Sequence, residues 1–500
     1  MTAEPTDSRR WLTPRSPLTG EVVGTVPITE PEEVDAAVAR SRQAFVSWGA
    51  MSHAERKPYL RAFTKQVMKS MDRIAAAVVA ETGKDEGDAH ASVVASLTGL
   101  DFYTRNAGKL LKAKKGKPWP FITTRGWTEY HPLGVAGIIS PWNYPFYLPV
   151  LSATQALSAG CTVVIKPSEL TPLSGQLIED LAIEAGLPEH VVQVIHGAGD
   201  TGAALVEADT DIIAFTGSSS VGKSIAATAA ATLKPVLLEL GGKDAQIVLE
   251  DANVKTAARA AVNFGVFNAG QQCVGIERVY VVADIYDEFV TEATKAVNRL
   301  TAGTGDRSDI GPFISPPQAE TVESHLAEAV RDGAHVIAGG SRLDTDHGVF
   351  FEPTLLTEVD HSMTLMQQET FGPLIPIMKV ADEAEAIALA NDSPYGLHGS
   401  VWTRNRRRGH RVASQMETGT VAINDHLINF LYPTIKFGGI GDSGLNGQLG
   451  EEGIKSFTIH RSITAARFHP TTRLMGGWLP RRVGPRYWKA LARALFAWRR

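Results

Sequence analysis

The chain has 500 residues, 44% hydrophobic and 21% charged, with a formal charge of −5. These values exclude a disordered or fibrous protein and leave no overall electrostatic reason to bind nucleic acid. The length exceeds what one core serves, so more than one domain is expected. Only two cysteines occur, Cys161 and Cys273, which excludes a disulfide framework and suits a reducing, cytoplasmic setting. The start of the chain is polar and proline-rich with no apolar run behind its arginines, unlike a signal peptide. No stretch reaches the roughly 18 apolar residues of a membrane span.

In chain order, 31–111 is mostly helical in pattern, and 119–131 alternates aromatic and polar residues like an exposed hairpin. Short apolar runs then follow at 135–139, 162–165, 191–195, 212–215 and 236–238, separated by helix-like stretches such as 172–185. Buried β-branched strands alternating with helices predict a doubly wound parallel sheet. A second alternation predicts strands at 246–249, 279–282, 375–380 and 420–424, with helices at 254–268, 286–300 and 383–390. The fold class is therefore α/β, with two doubly wound domains in tandem. After about Phe468 the chain is basic and aromatic.

Several strand ends carry residues suited to chemistry. The run Phe215-Thr216-Gly217-Ser218 … Gly222 closes a strand and opens a helix, where N–H groups and the helix dipole receive phosphate; alone, it reads equally as an ordinary turn. Lys166-Pro167-Ser168-Glu169 puts a cation and a carboxylate at the same edge of the sheet, either as a solvated turn or as part of a ligand crevice. In Glu239-Leu240-Gly241-Gly242-Lys243 a carboxylate ends a strand beside two glycines, as a loop charge or as a base. Cys161 leads a buried strand and reads as a small hydrophobe, whereas Cys273 sits among small and amide residues. Pro141 and Pro145 bracket Trp142-Asn143-Tyr144, where Asn143 is either a turn residue or an amide donor for a developing oxyanion.

These motifs, together with Glu369-Thr370-Phe371-Gly372-Pro373 and Phe437-Gly438-Gly439, occur in an order that resembles the aldehyde dehydrogenase superfamily over roughly residues 15–465. The resemblance implies a Rossmann-like NAD-binding domain (1–117 and 133–240), a catalytic domain (241–441) and an oligomerisation hairpin and arm (118–132 and 442–467), followed by the tail, 468–500. It also implies a homodimer or homotetramer. Cys273 would be the nucleophile, Asn143 and the Cys273 N–H the oxyanion donors, and Glu239 the base that hydrolyses the thioester. Relatives that transfer the acyl group to coenzyme A typically lack this glutamate, so a free acid is expected.

The same resemblance assigns cofactor contacts to Ile139, Trp142, Lys166, Ser168, Glu169, Gly217, Ser218, Val221, Leu240, Glu369 and Phe371, with no metal. Glu169 suits free ribose hydroxyls and repels a 2′-phosphate, so NAD is expected over NADP, which Lys166 leaves open. The family's substrate tunnel corresponds to Tyr144, Leu148, Leu151, Phe267 and Val274. Their apolar character predicts an aliphatic or aromatic aldehyde, with succinate semialdehyde as the alternative. Ser152 stands where many relatives carry a lysine. A structural, crystallin-like role is disfavoured because Cys273, Asn143 and Glu239 are all kept.

In the tail, Trp488, Leu491, Leu495 and Trp498 recur with helical spacing among Arg486, Lys489, Arg493, Arg499 and Arg500. This stripe suits packing on the protein's own body or a neighbouring subunit. A peripheral contact with an anionic membrane is the second reading.

Overall fold

The computed structural model describes residues 9–117, 124–304, 308–467 and 485–496. The helical region comprises Pro31–Ala50, His53–Lys69, Met71–Thr82 and Glu86–Leu110. Local chemistry sets these limits. Ser52 and Glu55 exchange capping-box bonds, Gly83 closes the third helix at φ 69°, and the Asp85 side chain accepts from the Gly87 and Asp88 N–H groups to open the fourth.

The five expected strands of the first sheet are Val135–Ile139, Thr162–Lys166, Val192–Val194, Ile212–Thr216 and Val236–Glu239. They run parallel in the spatial order 236–239, 212–216, 135–139, 162–166, 192–194. Sequence order reverses between 135–139 and 212–216, and a crevice opens at the carboxyl ends beside such a reversal.

The C-terminal segment departs from the sequence-based expectation. The stretch 442–467, expected as an arm, divides in two. Gly444–Leu445 pairs antiparallel with Val236–Glu239 and extends the first sheet. Only Thr458–Ala466 joins the small sheet, where it pairs with Thr124–Pro132 along nine residues. Glycine permits the first contact: a Cβ on Gly444 would lie 2.3 Å from Leu238 O. Of the expected hairpin, 118–123 lies outside the described residues.

The second sheet runs His335–Ala338, Thr354–Thr357, Leu374–Val380, Ile276–Val282, Asp244–Val248, His398–Trp402, Thr420–Ile423, parallel except for the first strand. Three of these strands, 335–338, 354–357 and 398–402, are absent from the sequence-based expectation, as is the helix Pro316–Arg331. His398-Gly399-Ser400 looks like a loop in sequence. Within the sheet its polar groups bond inward, His398 to Thr420 Oγ1 at 2.8 Å and Ser400 to His426 at 3.0 Å.

The two sheets meet end to end. The first presents its carboxyl ends, Ile139, Lys166, Thr216 and Glu239, while the second presents its amino ends, among them Asp244, Ile276 and Leu374. Gly241-Gly242-Lys243 carries the chain straight across the seam, with no helix between.

The tail forms the helix Pro485–Phe496, in line with its spacing, and Trp498, Arg499 and Arg500 lie outside the described residues. Among the described residues, no helix is long and apolar enough to cross a membrane.

Leu237 is fully buried two residues before Glu239, on a strand flanked on both sides. Leu237→Ala should cost about 2–5 kcal/mol, measurable as a lower urea midpoint for unfolding of the domain built on the first sheet.

Candidate active site

The Val254–Val266 helix ends two residues earlier than its pattern predicts, and a short turn, Phe267–Gly270, follows. Asn268, Ala269 and Gly270 adopt φ of 55°, 57° and 74°. A left-handed conformation costs about 1–2 kcal/mol for a residue with a Cβ, and side-chain amides hold it here. Asn268 Nδ2 donates to Gln271 O at 3.0 Å, Gln271 Nε2 to Asn268 O at 3.1 Å, and Gln272 Nε2 to Phe264 O at 2.7 Å. These bonds account for the amide residues ahead of Cys273. Gly270 abuts the 369–373 motif so closely that a Cβ would lie 2.2 Å from the Gly372 carbonyl carbon.

The Cys273 side chain is half-buried. Burial pushes its thiol well above the usual range, and Glu369, Asp244 and Glu239 push it the same way. A base is therefore required to form the thiolate. Asn143 Nδ2 donates to Gln271 O at 3.1 Å. An amide carries two protons, so one is left for a ligand; the buried Oδ1 has no partner.

Glu239 ends its strand under the returning C-terminal segment. Its Oε1 accepts from the Gln448 N–H at 3.3 Å, while Oε2 is buried without a partner. Burial pushes this carboxyl up to about 8, opposed by the Gln448 N–H and Lys436. The Phe437-Gly438-Gly439 motif acquires a physical reason here, because a Cβ on Gly438 would stand 2.8 Å from Glu239 Oε1. Gln448 Nε2 also donates to Ser152 Oγ at 3.4 Å, so a neutral pair stands beside the N–H that Glu239 accepts from.

Asn143 and Cys273 line a cavity of 260 Å³ with Leu148, Leu240, Glu369 and Phe371. Through Pro141, Trp142, Thr216, Gly217 and Ser218 it continues into an open cleft of 790 Å³ lined by Ile139, Lys166, Ser168, Glu169 and Val221. Glu239 is not on the cavity wall, although its neighbours Leu240 and Gly241 are. Of the expected tunnel residues only Leu148 is on the wall. Leu151 and Val274 are buried in the core, Tyr144 lies beneath Lys84, and Phe267 opens the turn before Cys273.

Sequence reasoning missed the apparatus that holds the 369–371 loop. Glu277 accepts from the Thr370 and Phe371 N–H groups at 2.8 and 2.9 Å and pairs with buried Lys243 at 2.5 Å. Gln318, from the unread helix, donates to Thr370 O and Phe371 O, both at 3.1 Å. Phe371 is thereby held at φ 53°, with its ring edge-on to Trp142 at 5.6 Å. Glu369 Oε1 accepts from the Gly242 N–H at 3.1 Å, and burial together with Glu277 pushes its carboxyl up to about 8. No sequence signal ties Glu277 or Gln318 to this loop.

The trench fits a dinucleotide. It follows the carboxyl ends of the first sheet, and Ser218, which precedes the Ser219–Ala230 helix, pairs its Oγ with Ser220 Oγ at 3.3 Å and does not cap the backbone N–H groups of the first turn. Exposed Val221 offers an apolar wall, and the Glu169 carboxylate stands 3.7 Å from Lys166 Nζ at the far end.

Relatives agree with this geometry. The chain is 38% identical over 446 residues to a 4,4′-diapolycopene aldehyde oxidase of Methylomonas sp., covering 89% of this chain and 83% of that protein. It is 36% identical over 490 residues to a Mycobacterium ulcerans protein whose name assigns it succinate-semialdehyde dehydrogenase activity with NADP(+), covering 97% and 93%. Its fold matches a betaine aldehyde dehydrogenase of Staphylococcus aureus, solved in complex with NAD+, with a TM-score of 0.88 and 32% identity over 93% of this chain and 94% of that one. The family model for the aldehyde dehydrogenase family matches residues 4–463. With nearly the whole chain matched in sequence and fold, the protein belongs to the aldehyde dehydrogenase family.

Proposed function

We propose that this member oxidises apolar aliphatic or aromatic aldehydes to carboxylic acids with NAD and water, through a thioester on Cys273. One observation carries the reading: a single trench runs from Lys166 and Glu169 to an end lined by Asn143 and Cys273, with Glu239 buried behind it. The Cys273 thiol loses its proton to solvent with the help of Glu239, and the thiolate adds to the aldehyde carbon. The oxygen that gains charge is held by the free Asn143 amide proton and the Cys273 N–H. Bound in the trench, NAD supplies the acceptor for the hydride that leaves that carbon. Glu239 then takes a proton from the water that attacks the thioester, and the acid leaves as Sγ is released.

Cofactor preference rests on Glu169, which repels a 2′-phosphate, while Lys166 is directed to Gly197 O at 2.8 Å. NAD is therefore favoured, with NADP the weaker acceptor. The relatives' names divide between substrates, and the cavity wall favours the apolar class. It carries no lysine or arginine, and its one carboxyl side chain is Glu369. A distal carboxylate buried there unpaired would cost several kcal/mol, roughly, against an apolar chain.

The reading extends to assembly. Thr458–Ala466 is largely exposed and, among the described residues, pairs along one edge only, so a second copy can add at the other to form a homodimer or homotetramer. On the Pro485–Phe496 helix, Arg486, Lys489 and Arg493 are exposed, a charge pattern suited to a neighbouring subunit or to an anionic membrane. Truncation after Gly484 separates the two: a changed mass by light scattering assigns the helix to assembly, whereas lost sedimentation with phosphatidylglycerol vesicles assigns it to the membrane.

Glu239→Gln should give a burst of NADH approaching one per site and then slow turnover, with an acyl adduct on Cys273 by mass spectrometry. Unchanged turnover without a burst assigns the base elsewhere. Because the carboxylate form is active and its pKa is raised to about 8, hydrolysis-limited kcat should fall about tenfold per pH unit below that value and level off above it. On an aldehyde panel, kcat/KM should rise a few-fold per added methylene, about 0.8 kcal/mol each. Succinate semialdehyde outperforming hexanal tenfold would overturn the apolar assignment.

A further inference from the structure

Lys84 is the single residue between the left-handed cap at Gly83 and the N-cap Asp85, and its side chain turns inward to near-complete burial. Its ammonium donates to the Asn143 backbone carbonyl at 2.6 Å and lies 4.2 Å from the centre of the Tyr144 ring. Asp88, one turn along the next helix, supplies an attractive charge. Lys84 is absent from the cavity wall that Asn143 shares with Cys273. It therefore reaches the reacting centre only through the residues it holds.

A buried ammonium is costly, and one carbonyl bond with a partial countercharge does not offset it; an apolar side chain of similar length would fill the space at lower cost. The expense makes sense as aim. Asn143 lies in irregular backbone between Pro141 and Pro145, and its side chain has one bond, to Gln271 O. Where its free amide proton points is decided by where its peptide is held. We propose that Lys84 is a positioning residue of the oxyanion site, clamping the Asn143 carbonyl and the Tyr144 ring so that the Asn143 amide faces the developing oxyanion. The inference rests on Asn143 being the oxyanion donor.

A double-mutant cycle tests it, with single-turnover NADH formation from hexanal read on the full-length enzyme at saturating NAD. Asn143→Ala should slow acylation about 10²–10³-fold. Lys84→Met should slow it about 10–100-fold through misplacement and leave NAD affinity, read by fluorescence quenching, within twofold. In the Asn143→Ala background Lys84→Met should cost less than about threefold, because the residue it aims is gone. A purely structural role predicts the same factor in both backgrounds, and that result overturns the proposal, as does unchanged acylation in Lys84→Met alone. If Asn143→Ala itself is unimpaired, the oxyanion assignment fails first. Lys84→Gln is carried through the same cycle in case the methionine variant does not fold. If neither folds, Lys84 is a stability element and the proposal is wrong.

Discussion

Removal of water from the seam between the two sheets is the constraint on which the rest of this structure depends. Setting the carboxyl ends of one parallel sheet against the amino ends of another brings Cys273 together with Glu239, Asp244 and Glu369 in a space that disfavours every charged form. Burial is the leading cause that pushes the thiol up, raises Glu239 and Glu369 to about 8, and raises Asp244 well above the carboxylate range. Shifted upward in this way, these groups limit the penalty of burying so many acids together. Burial also makes the thiol dependent on a base, and it strengthens any hydrogen bond offered to an oxyanion.

Holding irregular backbone in such a place requires partners that are themselves buried. Two left-handed segments approach each other there, 268–270 before Cys273 and Phe371 after Glu369. Amides support the first and the Lys243–Glu277 pair supports the second. Gly270 lets them meet, since no side chain fits between it and Gly372. The turn before Cys273 and the 369–371 loop are thus braced against each other, and strain at the one is borne by packing at the other.

Glu239 depends on a different part of the chain. Its strand is completed by Gly444–Leu445, its carboxylate accepts from Gln448, and Gly438 leaves it room. The surroundings of Glu239 are therefore set by residues some two hundred positions downstream. The contact beside it, between Ser152 and Gln448, is neutral.

Periodicity made the first sheet legible almost strand for strand, because buried parallel strands are continuous apolar runs with helices between. Motif order singled out, through the family resemblance, Cys273 and Asn143, which share one cavity, Glu239, which is buried beside it, and the residues of the trench. The His398–Trp402 strand stayed hidden, since its polar residues are satisfied by His426 and Thr420, which are distant in sequence. Glu277 and Gln318 were invisible for the same reason. Of the tunnel residues implied by the resemblance, only Leu148 is on the cavity wall, because a matched position carries over a residue type and not the side-chain packing that separates a pocket lining from core. By itself the sequence determined the alternation of elements and the residue types able to do the chemistry, since propensity and hydrophobic period are local. Only the tertiary structure decided which strand ends face each other, which carboxyls lose their water and which carbonyl Lys84 holds, because these are set by contacts between residues far apart in the chain.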